Sequence, residues 1–325
     1  MNDTPNPPSL PGGPLTEVYR ALNALYVVTR RHGSALDAMK RLVRVSAYTS
    51  SHQGFALLGE SGSGKTSTIR QFEEWLRTEL GLAATDPSPF PIIPLTAATT
   101  PKGLLQALLA AGGDPVSTTG TRDELDRRFQ QLAPSMTGIY GIALDEAHHA
   151  FEAKNGSEKV TMALTLKNVV SAFPKPLIAL GPMKLEQYLD AADGMPMRFM
   201  RREFLEDMRL DLADDLHDLR AVLKAMDELL PSEPSCKLDS PDMLKRLYLA
   251  GQASFGRIVS LVRIATERAA FEPGTVRVGP AHYSAAWLSV APRRQRSDKF
   301  DPFKLDIDTV TKLASQLCTK LRERE

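Results

Sequence analysis

An eight-residue segment of the chain combines a glycine-rich turn with a lysine and a threonine. It reads Gly59-Glu60-Ser61-Gly62-Ser63-Gly64-Lys65-Thr66, is followed by Ser67, and lies between an apolar run and a helical pattern. Glycines allow backbone N–H groups to turn toward a phosphate chain, and the start of the helix adds partial positive charge. In such loops the lysine spans the β- and γ-phosphates of ATP, and the threonine hydroxyl is a ligand for Mg²⁺. The segment therefore predicts a binding loop for ATP.

Two adjacent carboxylates end a later apolar run. Residues 139–144 are apolar or small, and Asp145 and Glu146 follow them. In a nucleotide-binding sheet, the carboxyl ends of the strands face the ligand. We expect Asp145 to hold Mg²⁺ through its water shell, and Glu146 to orient and polarise the attacking water. An acidic helix cap is the alternative, and the loop upstream favours the catalytic interpretation.

Two histidines come directly after these carboxylates. Residues 145–148 also spell the acidic box of a helicase superfamily, but the helical pattern after residue 212 is not the second nucleotide-binding-type domain that such enzymes need. His148, His149 and Glu152 together suggest a metal site. Adjacent residues of a helix or strand point to different sides, so we predict a polar cluster or a plain surface here rather than a zinc site.

Arginines at two positions fit roles in nucleotide hydrolysis. Residues 197–202 include three arginines just before the last predicted strand. In oligomeric ATPases an arginine there reaches the γ-phosphate of the neighbouring subunit, and we assign this role to Arg198. Arg257 opens a later helix, where it could sense the phosphate within its own subunit. A solvated turn and a surface arginine are the respective alternatives.

The elements that must position these residues alternate between strand and helix. Short apolar runs predict strands at 55–58, 92–95, 139–144, 177–180 and 209–212, and helical patterns predict helices at 65–80, 101–111, 121–133, 158–172 and 183–190. Strands that alternate with helices indicate an α/β fold with a mainly parallel sheet. Uninterrupted apolar runs also suit strands that are covered on both faces.

Changes in composition and periodicity divide the chain into five segments. We predict a flexible arm (1–14), N-terminal helices broken near Gly33 (15–50), a nucleotide-binding core (51–212), an all-helical lid (213–291), and a basic C-terminal tail with a possible helix from Asp308 (292–325). Prolines and glycines in the arm disfavour a packed element there.

The overall composition excludes several classes of protein. Forty Lys and Arg against 39 Asp and Glu give a net charge of +1, so nucleic-acid binding would require a local patch or an assembly of subunits. Cys236 and Cys318 are far apart and lack zinc-site spacing, which indicates a reducing compartment. No apolar run approaches the roughly 18 residues of a membrane span, and residues 1–13 lack the apolar core of a signal peptide. We expect a cytoplasmic protein.

The order of these parts resembles that of AAA+ ATPases, and more narrowly that of the TniB/TnsC family of transposition regulators. The resemblance covers roughly residues 20–290. It is carried by Gly59 to Thr66, residues 94–113 with Thr100-Pro101-Lys102, residues 144–149, Lys167-Asn168, residues 176–181, Arg198-Phe199 and Gly256-Arg257. It implies a P-loop AAA+ core with a mainly parallel five-stranded sheet flanked by helices, followed by a small all-helical lid domain.

The same resemblance implies a function. TniB/TnsC proteins are ATP-dependent matchmakers that form rings or filaments of identical subunits on duplex DNA, independently of its sequence. They connect a target-selection protein of the TniQ type to the transposase. This chain departs from the pattern after the fourth strand, where Gly181-Pro182-Met183 stands in place of a polar sensor residue, so we expect slow hydrolysis. The alternatives are a loader or chaperone ATPase without a direct DNA role, and a signalling ATPase that uses nucleotide as a switch.

Two cations at predicted helix starts indicate where DNA would bind. Thr100-Pro101 begins one helix, and Thr121 with Glu124 forms a capping box at another, so Lys102 and Arg122 lie in first turns. The helix dipole disfavours a cation there by about 0.3–1 kcal/mol. Such a cation is either incidental or part of an anion site with the free helix N–H groups. We predict that Lys102 and Arg122 contact DNA phosphates.

Overall fold

The computed structural model describes residues 15–49, 54–152 and 156–323, apart from the side chain of Asp298. The predicted arm at 1–14 lies outside these residues. The described chain forms two compact units: an α/β unit, residues 31–206, and a helical unit, residues 15–30 with 207–323. Its helices are α1 Leu15–Ala24, α2 Arg30–Ser46, α3 Lys65–Glu79, α4 Pro101–Ala111, α5 Arg122–Leu132, α6 Gly156–Ala172, α7 Lys184–Ala191, α8 Met195–Arg198, α9 Ala213–Asp227, α10 Pro241–Ala250, α11 Phe255–Phe271, α12 Pro280–Val290 and α13 Ile307–Arg322.

One parallel sheet of five strands organises the α/β unit. The strands are β1 Gly54–Gly59, β2 Ile92–Pro94, β3 Ile142–Asp145, β4 Leu177–Gly181 and β5 Arg201–Leu205, in the order β2-β3-β4-β1-β5. All four pairings are parallel, so every strand ends at the same edge of the sheet. All six residues of β1 are buried, as expected for a strand covered on both faces. The predicted fold class, a five-stranded parallel α/β core flanked by helices and followed by a helical region, is confirmed.

Local sequence signals account for several helix starts in this unit. The Thr100 hydroxyl accepts a hydrogen bond from the Gly103 N–H, and Pro101 occupies the first turn of α4. Thr121 and Glu124 form both hydrogen bonds of a capping box at α5. Apolar residues of the inner strands and of α4, α5 and α6 then make one continuous core.

The fifth strand differs from the prediction. Residues 209–212 are a turn before α9, and β5 spans Arg201–Leu205 instead. The strand is at the edge of the sheet and pairs only with β1, so much of it remains partly exposed and it needs no continuous apolar run. Arg201 and Arg202 therefore belong to the strand, whereas Arg198 ends the short helix before it.

The N-terminal helices also differ from the prediction. The chain breaks between α1 and α2, at residues 25–29, and Gly33 lies inside α2. Glycine costs about 1 kcal/mol in a helix interior. Six residues of α2 are buried and offset that cost, namely His32, Ala35, Leu36, Met39, Leu42 and Val43. Residues 15–50, grouped together by sequence, are divided between the two units.

The helical unit has its own apolar core. Helix α11 packs against α1 and α12, and α10 packs against α13. Helix α10 begins with a Ser240 cap, whose hydroxyl accepts from the Met243 N–H. In the segment predicted as a basic tail, α13 begins after an Asp306 cap and buries Ala314 and Cys318. No helix in the described ranges is long and apolar enough to cross a membrane.

Candidate nucleotide-binding site

The glycine-rich loop occupies the connection between β1 and α3. Gly62 and Gly64 have φ angles of 82° and 96°, a region that side chains with a Cβ rarely adopt. A Cβ on Gly59 would lie 2.5 Å from the carbonyl oxygen of Leu205. These constraints explain the glycines physically. The loop ends at the N-terminus of α3, whose first-turn N–H groups form an anion-binding end.

The Lys65 ammonium is buried inside the loop. Its Nζ donates to the carbonyl oxygens of Gly59 at 2.6 Å and of Glu60 at 3.0 Å. Burial lowers the pKa of Lys65, while the nearby carboxylates of Glu146 and Asp145 act in the opposite direction. Within the described part of the chain, the ammonium donates hydrogen bonds to two neutral carbonyl oxygens and to no carboxylate, which fits the binding of a phosphate chain.

The strand ends bring Thr66 and Asp145 together. Thr66 Oγ1 donates to Asp145 Oδ2 at 3.0 Å, although the two residues lie 79 positions apart. Asp145 is the last residue of β3, and only β4 separates that strand from β1. A hydroxyl beside a carboxylate is the oxygen donor set that suits Mg²⁺, so these two residues fit the predicted ion.

Glu146 adopts a strained backbone conformation. Its φ and ψ angles are 54° and 41°, in the left-handed region, and its N–H donates to Asp145 Oδ1 at 3.0 Å. A non-glycine residue in this region costs about 1–3 kcal/mol and persists where the surroundings enforce it, often at functional sites. The Glu146 side chain is 46% exposed and contacts His148, with 3.2 Å between Oε2 and Nδ1. The carboxylate that follows β3 is thus accessible to solvent.

A family model and several solved structures match this architecture. Residues 48–189 match the AAA domain family model. These residues form an ATPase-type nucleotide-binding domain. No curated protein sequence matches the chain.

Solved structures share the fold of the AAA domain and of the helices after it. The Aeropyrum pernix ORC1 protein in complex with DNA is 16% identical with a TM-score of 0.59, over 94% of this chain and 86% of that chain. CDC6P from Pyrobaculum aerophilum is 16% identical with a TM-score of 0.58, over 93% and 84%. Drosophila ORC bound to DNA is 14% identical with a TM-score of 0.55, over 100% and 87%. Identities this low show a similar fold alone.

His32 is a residue of the candidate nucleotide-binding site that the sequence analysis did not identify. It lies in α2, is 4% exposed, and its Nε2 is 2.9 Å from the carbonyl oxygen of Ser63. A carbonyl oxygen accepts only, so Nε2 carries the hydrogen. Because C=O and N–H of a planar trans peptide point in opposite directions, this bond turns the Gly64 N–H toward the other side of the loop. His32 therefore fixes the orientation of one loop peptide.

The sequence predicted that the two histidines after Glu146 point to different sides. In the structure they do not. They lie in a 3-10 turn, residues 147–150, and their ring centroids are 4.0 Å apart. Both approach Glu152 Oε2, His148 with Nε2 at 3.4 Å and His149 with Nδ1 at 3.2 Å. Burial, followed by the charge on His149, lowers the pKa of His148. The three side chains form a polar cluster, and the geometric reason given against a metal site was wrong.

The end of β4 contributes no polar side chain. Gly181, Pro182 and Met183 follow one another there, as read from the sequence, and Lys184 is the first residue with a side-chain donor. Its ammonium contacts Glu152 Oε1, and this ion pair raises the pKa of Lys184 and lowers that of Glu152. Lys184 was also missed, because it lies three residues beyond the strand.

The arginines near β5 differ in their surroundings. Arg198 Nη1 donates to the Gly194 carbonyl oxygen and Nη2 to Ser171 Oγ, each at 2.9 Å. Arg202 is paired with Glu186 and Asp190. Arg201 is exposed. The structure thus leaves Arg198 next to α6 and Arg201 open to solvent.

The remaining candidates lie away from the glycine-rich loop in sequence. Arg257 is exposed on the helical unit, where Nη1 donates to Gln252 Oε1 at 2.7 Å. Lys102 is exposed in the first turn of α4. Arg122 is exposed too, but Nε and Nη2 donate to Asp123 Oδ1 at 3.0 and 2.6 Å. All three are accessible to a ligand.

Replacing His32 tests its role in orienting the loop. We expect His32→Leu, which fills space but cannot donate, to weaken binding of both ATP and ADP about tenfold, or roughly 1.4 kcal/mol. His32→Gln places an amide donor near the Nε2 position and should bind nearly as the parent does. Isothermal titration of the two variants measures the difference. Equal affinities in the leucine variant and the parent would contradict the assignment.

Proposed function

We propose that this chain is an ATP-dependent regulator of DNA transposition. It binds ATP and Mg²⁺, assembles as a homo-oligomer on duplex DNA of any sequence, and connects a target-selection protein of the TniQ type to the transposase in the cytoplasm. The convergence of Lys65, Thr66, Asp145 and Glu146 at one edge of the sheet carries the nucleotide part of this proposal. The order of motifs along the chain and the DNA-bound solved structures of similar fold support the DNA part.

Hydrolysis follows from the chemistry of these residues. Lys65 exchanges its two loop carbonyls for the β- and γ-phosphates. Thr66 and Asp145 would hold Mg²⁺, which would neutralise phosphate charge. Glu146 accepts a proton from the attacking water or orients it. Gly181, Pro182 and Met183 offer no side-chain donor beside this reaction, which supports a slow rate.

Two helix starts support a DNA-phosphate surface. A Cβ on Gly112, the C-terminal cap of α4, would lie 3.2 Å from the side chain of Leu132, the last residue of α5. Helices α4 and α5 also pack against each other, so with adjacent carboxyl ends we place their amino-terminal ends, with Lys102 and Arg122, on one side of the pair. Phosphate can also replace Asp123 as the acceptor for Arg122. One subunit offers few contacts, and an assembly multiplies them, so binding should be strongly salt-dependent.

A double substitution tests this surface and the function together. We expect Lys102→Ala with Arg122→Ala to abolish assembly on duplex DNA while leaving ATP binding unchanged. Electron microscopy with DNA, Mg²⁺ and a non-hydrolysable ATP analogue measures the assembly. The matched control, Lys224→Ala with Arg268→Ala, removes two exposed cations of the helical unit and should assemble normally.

The same experiment separates the alternatives. If the parent binds ATP and never assembles on DNA, a loader or chaperone ATPase that acts on protein partners replaces the transposition regulator. If the parent assembles and the double variant coats DNA at the same salt concentration, the DNA surface lies elsewhere. The basic face of α2, with Lys40, Arg41 and Arg44, is then the next candidate.

Arg198 is our choice for the arginine that acts on the neighbouring subunit. We expect Arg198→Ala to retain ATP binding and to lose most hydrolysis. Mixing it with Lys65→Ala should restore part of the activity, because in a mixed assembly an intact loop can meet an intact arginine. Phosphate release by the mixture, compared with each variant alone, measures this. If only Arg201→Ala loses activity, the role belongs to Arg201.

A further inference from the structure

A cluster of two imidazoles and a carboxylate lies beside the nucleotide site and is not used in the proposed hydrolysis. It consists of His148, His149 and Glu152, whose three nearest ligand atoms lie within 4.8 Å of one another. His148 Nε2 and His149 Nδ1 both approach the same oxygen, Oε2 of Glu152, at 3.4 and 3.2 Å. His148 is 7% exposed, and His149 Nδ1 is a buried atom without a hydrogen-bond partner among the described residues.

The two distances to Glu152 Oε2 match the separation of ligand atoms in a tetrahedral metal centre. With zinc–nitrogen and zinc–oxygen bonds of about 2.0–2.2 Å, two ligand atoms of a tetrahedron are separated by about 3.3 Å. Two imidazole nitrogens and one carboxylate oxygen form a ligand set that favours Zn²⁺ and similar first-row ions over Mg²⁺. Three protein ligands leave a fourth position open to water.

The groups around the cluster orient its ligands. His148 Nδ1 lies 3.2 Å from Glu146 Oε2 without forming a hydrogen bond, and it is a second buried nitrogen without a partner among the described residues. If Nε2 is the metal ligand, the hydrogen of the neutral ring is on Nδ1, next to the Glu146 carboxylate. The Lys184 ammonium contacts Oε1 of Glu152 and leaves Oε2 for a metal. Carboxylate and ammonium contacts of this kind fix the tautomer and the rotamer of metal ligands.

We propose that His148, His149 and Glu152 form a binding site for a zinc-class divalent ion. Occupancy of the site holds His148 Nε2 on the metal and places the hydrogen of the ring on Nδ1, 3.2 Å from Glu146 Oε2. A hydrogen bond formed there would restrain the carboxylate that orients water. Zinc therefore slows ATP hydrolysis without preventing ATP binding. This consequence rests on the proposed ATPase activity, whereas the binding site itself does not.

Direct metal binding tests the site independently of catalysis. We expect the full chain to compete with a chromophoric chelator for one equivalent of Zn²⁺, and to give the visible ligand-field bands of tetrahedral Co²⁺. His149→Ala and Glu152→Gln should each weaken zinc binding at least about tenfold. His217→Ala, which removes an exposed histidine of the helical unit, is the matched control and should bind as the parent does.

Each outcome decides between the two proposals. Absence of stoichiometric zinc binding, or equal affinity in the parent and both ligand variants, overturns the metal site. Zinc binding with the expected variant pattern, in a protein that hydrolyses no ATP without zinc, supports the site and contradicts the ATPase instead. Zinc that binds at the site and leaves an active parent's hydrolysis rate unchanged overturns the coupling to Glu146.

Discussion

We expect Lys65→Ala to raise the dissociation constant for ATP at least about 100-fold. The substitution removes the ammonium that spans two phosphates, and hydrogen bonds to charged groups contribute about 1.5–3 kcal/mol each. Two such bonds correspond to roughly two to four decades in the dissociation constant. The unliganded loop also loses the hydrogen bonds from Nζ to Gly59 and Glu60. Titration with a fluorescent ATP analogue measures the loss.

A comparison with another lysine makes this result specific. Lys102→Ala removes an exposed cation from the same unit and should retain the parent affinity for ATP. Circular dichroism checks that the Lys65 variant is folded. An undiminished ATP affinity in folded Lys65→Ala protein would contradict the assignment of the whole loop.

Glu146→Gln is expected to separate ATP binding from ATP hydrolysis. Glutamine keeps the size and the hydrogen-bonding reach of glutamate but cannot act as a base, and general base catalysis contributes about 10²–10⁴-fold. The hydrolysis rate should fall by that factor while the affinity for ATP stays within about twofold. Assemblies on DNA should persist longer, since ATP remains intact. Single-turnover hydrolysis and equilibrium titration measure the two quantities separately.

The control for this variant removes a carboxylate elsewhere. Glu228→Gln changes an exposed glutamate of the helical unit and should hydrolyse ATP at the parent rate. If Glu146→Gln also keeps the parent rate, another group orients the water. Lys184 and His148 would then be the nearest residues to examine.

Sequence predicted those features that depend on local patterns. The loop, the strand end at Asp145 and the caps Thr100 and Thr121 depend on neighbouring residues, and the structure has the predicted loop, strand end and caps. Strands buried on both faces were found because their apolar runs are uninterrupted. The edge strand β5 was missed because an edge admits charged residues such as Arg201 and Arg202.

Features that depend on distant contacts, on an irregular turn or on burial were not predicted. His32 meets Ser63 across 31 residues, and no local pattern connects a helical histidine with a loop carbonyl. The approach of His148 to His149 depends on a 3-10 turn, in which neighbouring side chains are not separated as in regular helices or strands. Gly33 does not end a helix, because the burial of side chains along α2 outweighs the low helix propensity of one glycine.

The division of the chain into units affects the order in which it can fold during synthesis. Residues 31–206 form one uninterrupted stretch, whereas the helical unit needs α1 together with α9 to α13. Leu15 and Leu22 of α1 are buried in the core that α11 completes more than 230 residues later. At translation rates of about 5–20 residues per second, α1 waits more than about ten seconds for that partner. The α/β unit emerges complete in the meantime, so a pause or truncation before residue 255 leaves the apolar face of α1 without the helix that covers it, while residues 31–206 can already fold.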